Sequence, residues 1–250
     1  MGLAYDFSAL ASRYAAYRPG YARELVDAIA DACAARDVVW DAGCGSGQLA
    51  VGLAARFARV IATDPAPAQV AAAEACAGVE YRVSAAEASG LADASVDCVT
   101  AAQAAHWFHW QRFCAEAARV ARPGALLVVI SYGRVDADGE LGELMHAYER
   151  DVAPWWPPER HHVDDGYRDL AWPWPAVELR RAPGALRESW TRDELFGYAT
   201  TWSATARQRA ATGDARLEQL RAELERAWPD GDARREIRWP LVVKACRYAP

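Results

Sequence analysis

The stretch VVWDAGCGSGQLA, residues 38–50, constrains the fold more than any other part of the chain. Val38, Val39 and Trp40 suit a buried strand. Gly43, Cys44, Gly45, Ser46 and Gly47 suit a tight turn, and Gln48, Leu49 and Ala50 open a helical stretch. Strand, glycine turn and helix in that order form the start of a nucleotide-binding unit, where backbone N–H groups at a helix start face a ligand.

The pattern continues downstream. RVIATD reads as a second strand ending at Asp64, VEYRVSA as a third, and SVDCVTAAQA as a fourth ending near Gln103. GALLVVISY is a fifth and almost wholly apolar, as expected of a strand covered on both faces. Helices are expected in YARELVDAIADACA, PAPAQVAAAEACA and WQRFCAEAARVA. Strands alternating with helices predict an α/β fold with a doubly wound, mostly parallel sheet.

From about residue 134 to 234 the alternation stops. Eight of the eleven tryptophans lie beyond residue 150, seven of them in this segment, which is rich in proline and charge. Helices are expected in GELMHAYER, RDELFGYAT and ARLEQLRAELERAW, and strands in ALRESW and EIRWPLVVKACRYA. This predicts a helical cap inserted late in the chain, followed by a C-terminal strand that returns to the sheet.

Of the 250 residues, 52% are hydrophobic and 25% charged, which suits a soluble globular chain. No apolar run approaches the roughly 20 residues of a membrane span. MGLAYDFSAL lacks the basic start and apolar core of a secretory signal. The six cysteines are scattered with no CxxC pair, so reduced thiols and a cytoplasmic location are expected. A net charge of −6 argues against a nucleic-acid groove, which needs a basic face.

The glycine spacing discriminates between cofactors. A dinucleotide fingerprint is G-x-G-x-x-G, whereas Gly43, Gly45 and Gly47 give G-x-G-x-G with Asp41 two positions upstream. That spacing resembles the class I methyltransferases, which bind S-adenosylmethionine. Together with YAAYRPGYARELV, AAEASGLADASVDCVTAAQAAHWF, WWPPERHHVDDGYRDL and GYATTWSA, it makes nearly the whole chain similar to the type 11 group. Within that group it lies nearest the trans-aconitate methyltransferase-like set. The resemblance implies a Rossmann-like methyltransferase fold with a seven-stranded sheet. It also implies S-adenosyl-L-methionine as donor, S-adenosyl-L-homocysteine as product, and a small-molecule acceptor, with a carboxylate among the candidates. A non-catalytic, regulatory cofactor-binding protein and a nicotinamide oxidoreductase stand as alternatives. The resemblance divides the chain into an N-terminal lid and helix (1–36), a cofactor-binding core (37–134), a cap (135–234) and a last core strand (235–250).

The resemblance also assigns residues. Asp41 reaches toward the methionine ammonium or caps the turn. Gly43, Cys44, Gly45 and Gln48 form the bend. Asp64, followed by Pro65, accepts the ribose hydroxyls or caps the next helix, and both roles can hold. Ala86 and Glu87 face the adenine, with a solvated surface acid as the other reading of Glu87. Gln103 lies at the end of the fourth strand. Arg18 and Tyr14 belong to an N-terminal segment that folds over the cofactor, where Arg18 suits a carboxylate. His106 orients a substrate carboxylate, acts as a base, or is structural. Trp107 and Phe108 line the sulfonium site or pack. Trp155, Trp156, Arg160, Tyr167 and Trp202, with Ser203, form an aromatic-walled acceptor pocket or pack the cap onto the core. His161 and His162 with Asp164 and Asp165 raise the question of a metal. Adjacent residues point apart in most backbone conformations and the segment reads as loop, so no metal is expected. Methylation of nucleic acid is disfavoured, because the Asp/Asn-Pro-Pro-aromatic motif is absent from the end of the fourth strand.

Overall fold

Five strands run parallel: β1 (Val38–Ala42), β2 (Arg59–Asp64), β3 (Val79–Val83), β4 (Val96–Ala102) and β5 (Ala121–Tyr132). β1, β4 and β5 lie buried along nearly their whole length, which their apolar sequences permit without a solvated face. The computed structural model describes residues 16–249. Among these the sheet extends beyond β5 through β8 (Arg235–Arg247) to the two-residue β6 (Ala176–Val177). The seven-strand path is therefore β3-β2-β1-β4-β5-β8-β6. β8 is antiparallel to both neighbours. An eighth strand, β7 (Ala185–Trp190), pairs with the first half of β8 off this path.

Successive side chains of each strand face opposite layers, as the two-residue period requires. Val39, Leu126, Val128 and Ile130 face α1 (Arg23–Ala32) and α2 (Gln48–Leu53), meeting Leu25, Ile29, Leu49 and Leu53. Trp40, Leu127 and Val129 face the other layer. There α4 (Trp110–Val120) follows the short α3 (Pro67–Ala71) in the chain. In α4, Trp110, Phe113, Ala117 and Val120 fall at three- and four-residue spacing and form one buried stripe. Phe113 is fully buried, and truncating such a side chain to Ala costs about 3–5 kcal/mol.

The cap has its own core. It comprises α5 (Glu140–Val152), α6 (Arg160–Asp164), α7 (Arg192–Thr200), α8 (Ser203–Thr212), α9 (Ala215–Ala227), β7 and the first half of β8. Tyr148, Leu195, Trp202, Leu220, Trp228 and Trp239 pack together at its centre. Thr191 and Glu194 close a reciprocal capping box at the start of α7. β8 joins the two cores: Leu241–Arg247 pairs with β5, and Arg235–Pro240 pairs with β7. The returning C-terminal strand is thus present and also belongs to the cap.

Two local expectations need correction. The helix expected over 65–77 is only Pro67–Ala71, because Gln69 is its one buried residue and no apolar stripe anchors the rest. His161 and His162 stand on the short helix α6 rather than in a loop.

Candidate active site

Chain order reverses between β1 and β4, and ligands of open α/β sheets bind at the carboxyl ends of strands near such a point. A cleft opens there. It is lined by Asp41 from β1, Asp64 from β2, Gln103 after β4 and Tyr132 from β5, with Arg18 and Pro19 from the N-terminal side.

The bend is built differently from the simple picture of free amides. Cys44 N donates to Thr63 O at 2.9 Å, Gly45 N to Asp64 Oδ2 at 3.0 Å, and Gly47 N to Cys44 O at 2.9 Å. Those three amides are committed inside the protein. Gly47 sits at φ +90, and a Cβ there would meet Tyr81 Oη at 2.2 Å. Gly45, at φ +55, is different: the nearest atoms to a Cβ would be Gln48 Oε1 at 3.8 Å and Gln69 Oε1 at 3.9 Å. Gly45 is therefore the glycine whose open side faces the cleft.

Asp41 is buried, with Thr100 Oγ1 donating to its Oδ1 at 2.7 Å. Burial pushes its carboxyl up to about 7, against the lowering effect of Thr100. Asp64 is also raised by burial, opposed by the Ala66 and Gly45 amides that it accepts. The N-cap of α3 is Ala66, so Asp64 accepts the Ala66 amide without being the N-cap residue itself. Burial pushes the Cys44 thiol far above its usual range, which leaves it inert. Gln103 has φ +53, a strained setting for a non-glycine residue. Its amide holds the Tyr132 backbone from both sides, with Nε2 donating to Tyr132 O at 3.1 Å and Oε1 accepting from Tyr132 N at 3.3 Å.

A second cavity adjoins the first, sharing Arg18, Gln103 and Trp107 with it. Its walls include His106, Trp156, Arg160, Trp202, Tyr198 and Glu149. Arg160 lies over the Trp156 ring, 4.4 Å from the centroid. Glu149 is nearly buried, 3.5 Å from Arg160 and 3.4 Å from Arg134, and burial raises its carboxyl. His106 Nδ1 lies 3.1 Å from the Tyr167 hydroxyl. Burial lowers the His106 ring to about 3, with Arg160, His162 and Arg18 adding to it, so the imidazole is neutral at pH 7.

The predicted residues divide accordingly. Arg18, Asp41, Gly43, Cys44, Gly45, Gln48, Asp64, Gln103 and Trp107 line the first cavity. His106, Trp156, Arg160 and Trp202 line the second, and Ser203 with them. Pro65, Ala86 and Glu87 line neither. Pro65 is exposed, Ala86 packs into the layer beneath β1, and Glu87 Oε1 accepts the His109 amide at 2.7 Å. Phe108 packs on Phe113, and Trp155 packs on the cap core. Tyr167 is fully buried and reaches the cavity only through His106. Tyr14 lies outside the described residues.

Sequence reasoning missed Gln69, Tyr132 and Glu149. Gln69 is 3% exposed and its Oε1 has no hydrogen-bond partner. A polar residue in an alanine-rich segment five positions after a strand-ending acid was a signal for it. Tyr132 ends β5 beside Gln103, a position that strand order alone marks as cleft-facing.

A family model described as a methyltransferase domain matches residues 40–129. A Dictyostelium discoideum protein, provisionally named a methyltransferase, is 36% identical over 246 residues, 95% of this chain and 92% of that protein. A Mycobacterium tuberculosis protein named as an uncharacterized methyltransferase is 35% identical over 150 residues, 60% of this chain and 61% of its own length. A solved structure from Anaeromyxobacter dehalogenans, provisionally named a type II methyltransferase, matches with a TM-score of 0.84 and 42% identity. That match covers 94% of this chain and 100% of the other, so the cap is shared as well as the sheet.

Proposed function

The chain belongs to the class I methyltransferase family with its Rossmann-like fold, and from that premise we propose that it methylates a small molecule bearing a carboxylate, using S-adenosylmethionine. The observation that carries the reading is the pair of adjoining cavities that meet at Arg18, Gln103 and Trp107.

The first cavity fits the donor on this chain's own chemistry. Gly45 leaves room for backbone approach, and the buried Gln69 Oε1 is an acceptor still lacking a donor. Asp64 would hold the ribose hydroxyls through the lone pairs that Gly45 and Ala66 leave, and Asp41 would face the ammonium. When bound, the donor supplies an electrophilic methyl group on a sulfonium, transferred by in-line displacement.

The second cavity would hold the acceptor. Arg160, kept in place by Trp156 and Glu149, orients a carboxylate, and Arg18 adds positive charge between the two cavities. A carboxylate is already ionised at pH 7 and needs no base. The low basicity of His106 agrees with that: with Nδ1 engaged by Tyr167, its role is to orient through Nε2. Trp156 and Trp202 keep water from the site, which favours a step in which opposite charges annihilate. The same acceptor class is the one that the sequence resemblance to the trans-aconitate methyltransferase-like set implies. The open cavity beside His106 favours turnover over a purely regulatory role.

On this reading residues 37–134 form the cofactor-binding core, 1–36 a lid and helix, 135–234 the acceptor cap and 235–250 the last core strand. The test is methyl incorporation from labelled donor into a panel of di- and tricarboxylates, with amines and phenols alongside. Labelling confined to amines or phenols would refute the carboxylate.

A further inference from the structure

We propose that His161, His162 and Asp169 form a binding site for a divalent transition metal of the zinc class, on the outer side of the acceptor pocket. The site itself stands apart from the methyltransferase reading, and only the use given to it rests on that reading. The site rests on how the chain folds after α6.

Just beyond α6 and its C-cap Asp165 stand two consecutive left-handed residues, Gly166 at φ +60 and Tyr167 at φ +55. Gly166 N donates to Val163 O at 3.0 Å and Tyr167 N to His162 O at 2.7 Å, which turns the chain back on itself. The reversal brings Asp169 against both histidines. His161 Nε2 lies 3.2 Å from Asp169 Oδ2, and His162 Nδ1 lies 2.8 Å from the same oxygen. All three donor atoms fall within 4.8 Å of one another. Donor atoms around a tetrahedral zinc stand about 3.3 Å apart, given bonds of about 2.0–2.1 Å.

Adjacent histidines converge here because they use different nitrogens. His161 offers Nε2, the far ring atom, and His162 offers Nδ1, the near one, with the ring centroids 3.8 Å apart and the rings tilted by 40°. His161 Nδ1 donates to Pro158 O at 2.6 Å. That bond fixes the tautomer and leaves the Nε2 lone pair for a metal, the usual outer-shell support of a ligating imidazole. His162 Nδ1 is buried and, although close to Asp169, makes no hydrogen bond of acceptable geometry. An ion would satisfy it. Asp164 and Asp165 are not part of the set, since Arg160 and Arg168 engage them. Two imidazoles and one carboxylate suit zinc and its neighbours rather than calcium or magnesium.

The position gives the site a use. Arg160 opens α6, and Tyr167, buried against His106, sits in the turn that the ion would close. Metal binding would pin both to the acceptor pocket.

The experiment is calorimetric titration of chelator-treated full-length protein with zinc chloride, repeated on His161→Gln and Asp169→Asn. Both altered residues are partly exposed, and melting in chelator verifies that the variants fold. Cobalt is used as an optical probe in parallel, because a nitrogen–oxygen site lacks the charge-transfer band of cysteine ligation. The proposal expects one ion per chain, a raised Tm, tetrahedral cobalt bands without thiolate character, and affinity at least about tenfold weaker in each variant. Absence of binding, thiolate-type cobalt spectra, or affinity unchanged in both variants would overturn it.

Discussion

Asp64 accepts the Gly45 amide through Oδ2 at 3.0 Å, so the acid that ends β2 is fastened to the centre of the glycine bend after β1. Its other oxygen accepts the Ala66 amide at 2.9 Å. One carboxylate thus shapes the cleft floor even before a ligand arrives. Asp64→Ala removes both bonds and is expected to cost about 1–3 kcal/mol of stability, read by urea denaturation.

Asp41 couples the cleft to pH. Its folded value of about 7 lies above the ordinary 3.8, so the folded chain holds this proton more tightly than the unfolded chain. The stability it contributes is complete below about pH 4 and is lost as pH rises through about 7. Asp41→Asn should therefore stabilise the ligand-free protein at pH 8, by up to about 4 kcal/mol at roughly 1.4 kcal/mol per unit. Donor binding behaves oppositely: affinity should strengthen as pH rises through 7 in the parent, and should be weaker and flat in the variant. Thermal melts and titrations at pH 5.5 and 8 read both effects.

Gly47 and Tyr81 compete for one space. Gly47→Ala places a Cβ 2.2 Å from Tyr81 Oη and forces a non-glycine residue into φ +90. A loss of about 2 kcal/mol or more is expected in chemical denaturation. Tyr81→Phe alone should be neutral or stabilising by about 1 kcal/mol, because the Tyr81 hydroxyl is buried without a partner. The double variant should recover part of the Gly47→Ala loss and not all of it, since the backbone strain persists.

Arg160→Met separates the cavities. The substitution removes the guanidinium over Trp156 while keeping an apolar stem in the second cavity. Acceptor KM should rise about tenfold to a hundredfold, the scale of a lost charge-assisted hydrogen bond, with donor affinity unchanged. Equal loss of donor affinity would remove Arg160 from the acceptor role.

Much of this was legible in the residues. RVIATD, ALRESW and RDELFGYAT occupy the strand and helix bounds read from them: RVIATD is a short apolar run buried at its centre, and RDELFGYAT follows the Thr191 and Glu194 capping box. α8 was not legible: its buried residues are Ser203, Ala204, Thr205 and Gln208, which give no apolar period. β6 is two residues long and owes its existence to pairing with β8. At the first cavity, the glycines with Asp41 and Asp64 announce the cleft. The second cavity depends on pairs far apart in sequence, such as Glu149 with Arg134 and His106 with Tyr167. Local patterns carry no record of such pairs. Glu87 is a further case, since the bond its side chain accepts from the His109 amide spans 22 residues.

The central claim is that the bend after β1 and the acid of β2 hold an adenosyl sulfonium. Calorimetric titration of the parent and Asp64→Ala with S-adenosylhomocysteine tests it most directly. One site per chain, with at least about tenfold weaker binding in the folded variant, is the result predicted. No binding by the parent, or equal affinity in the two proteins, would contradict it.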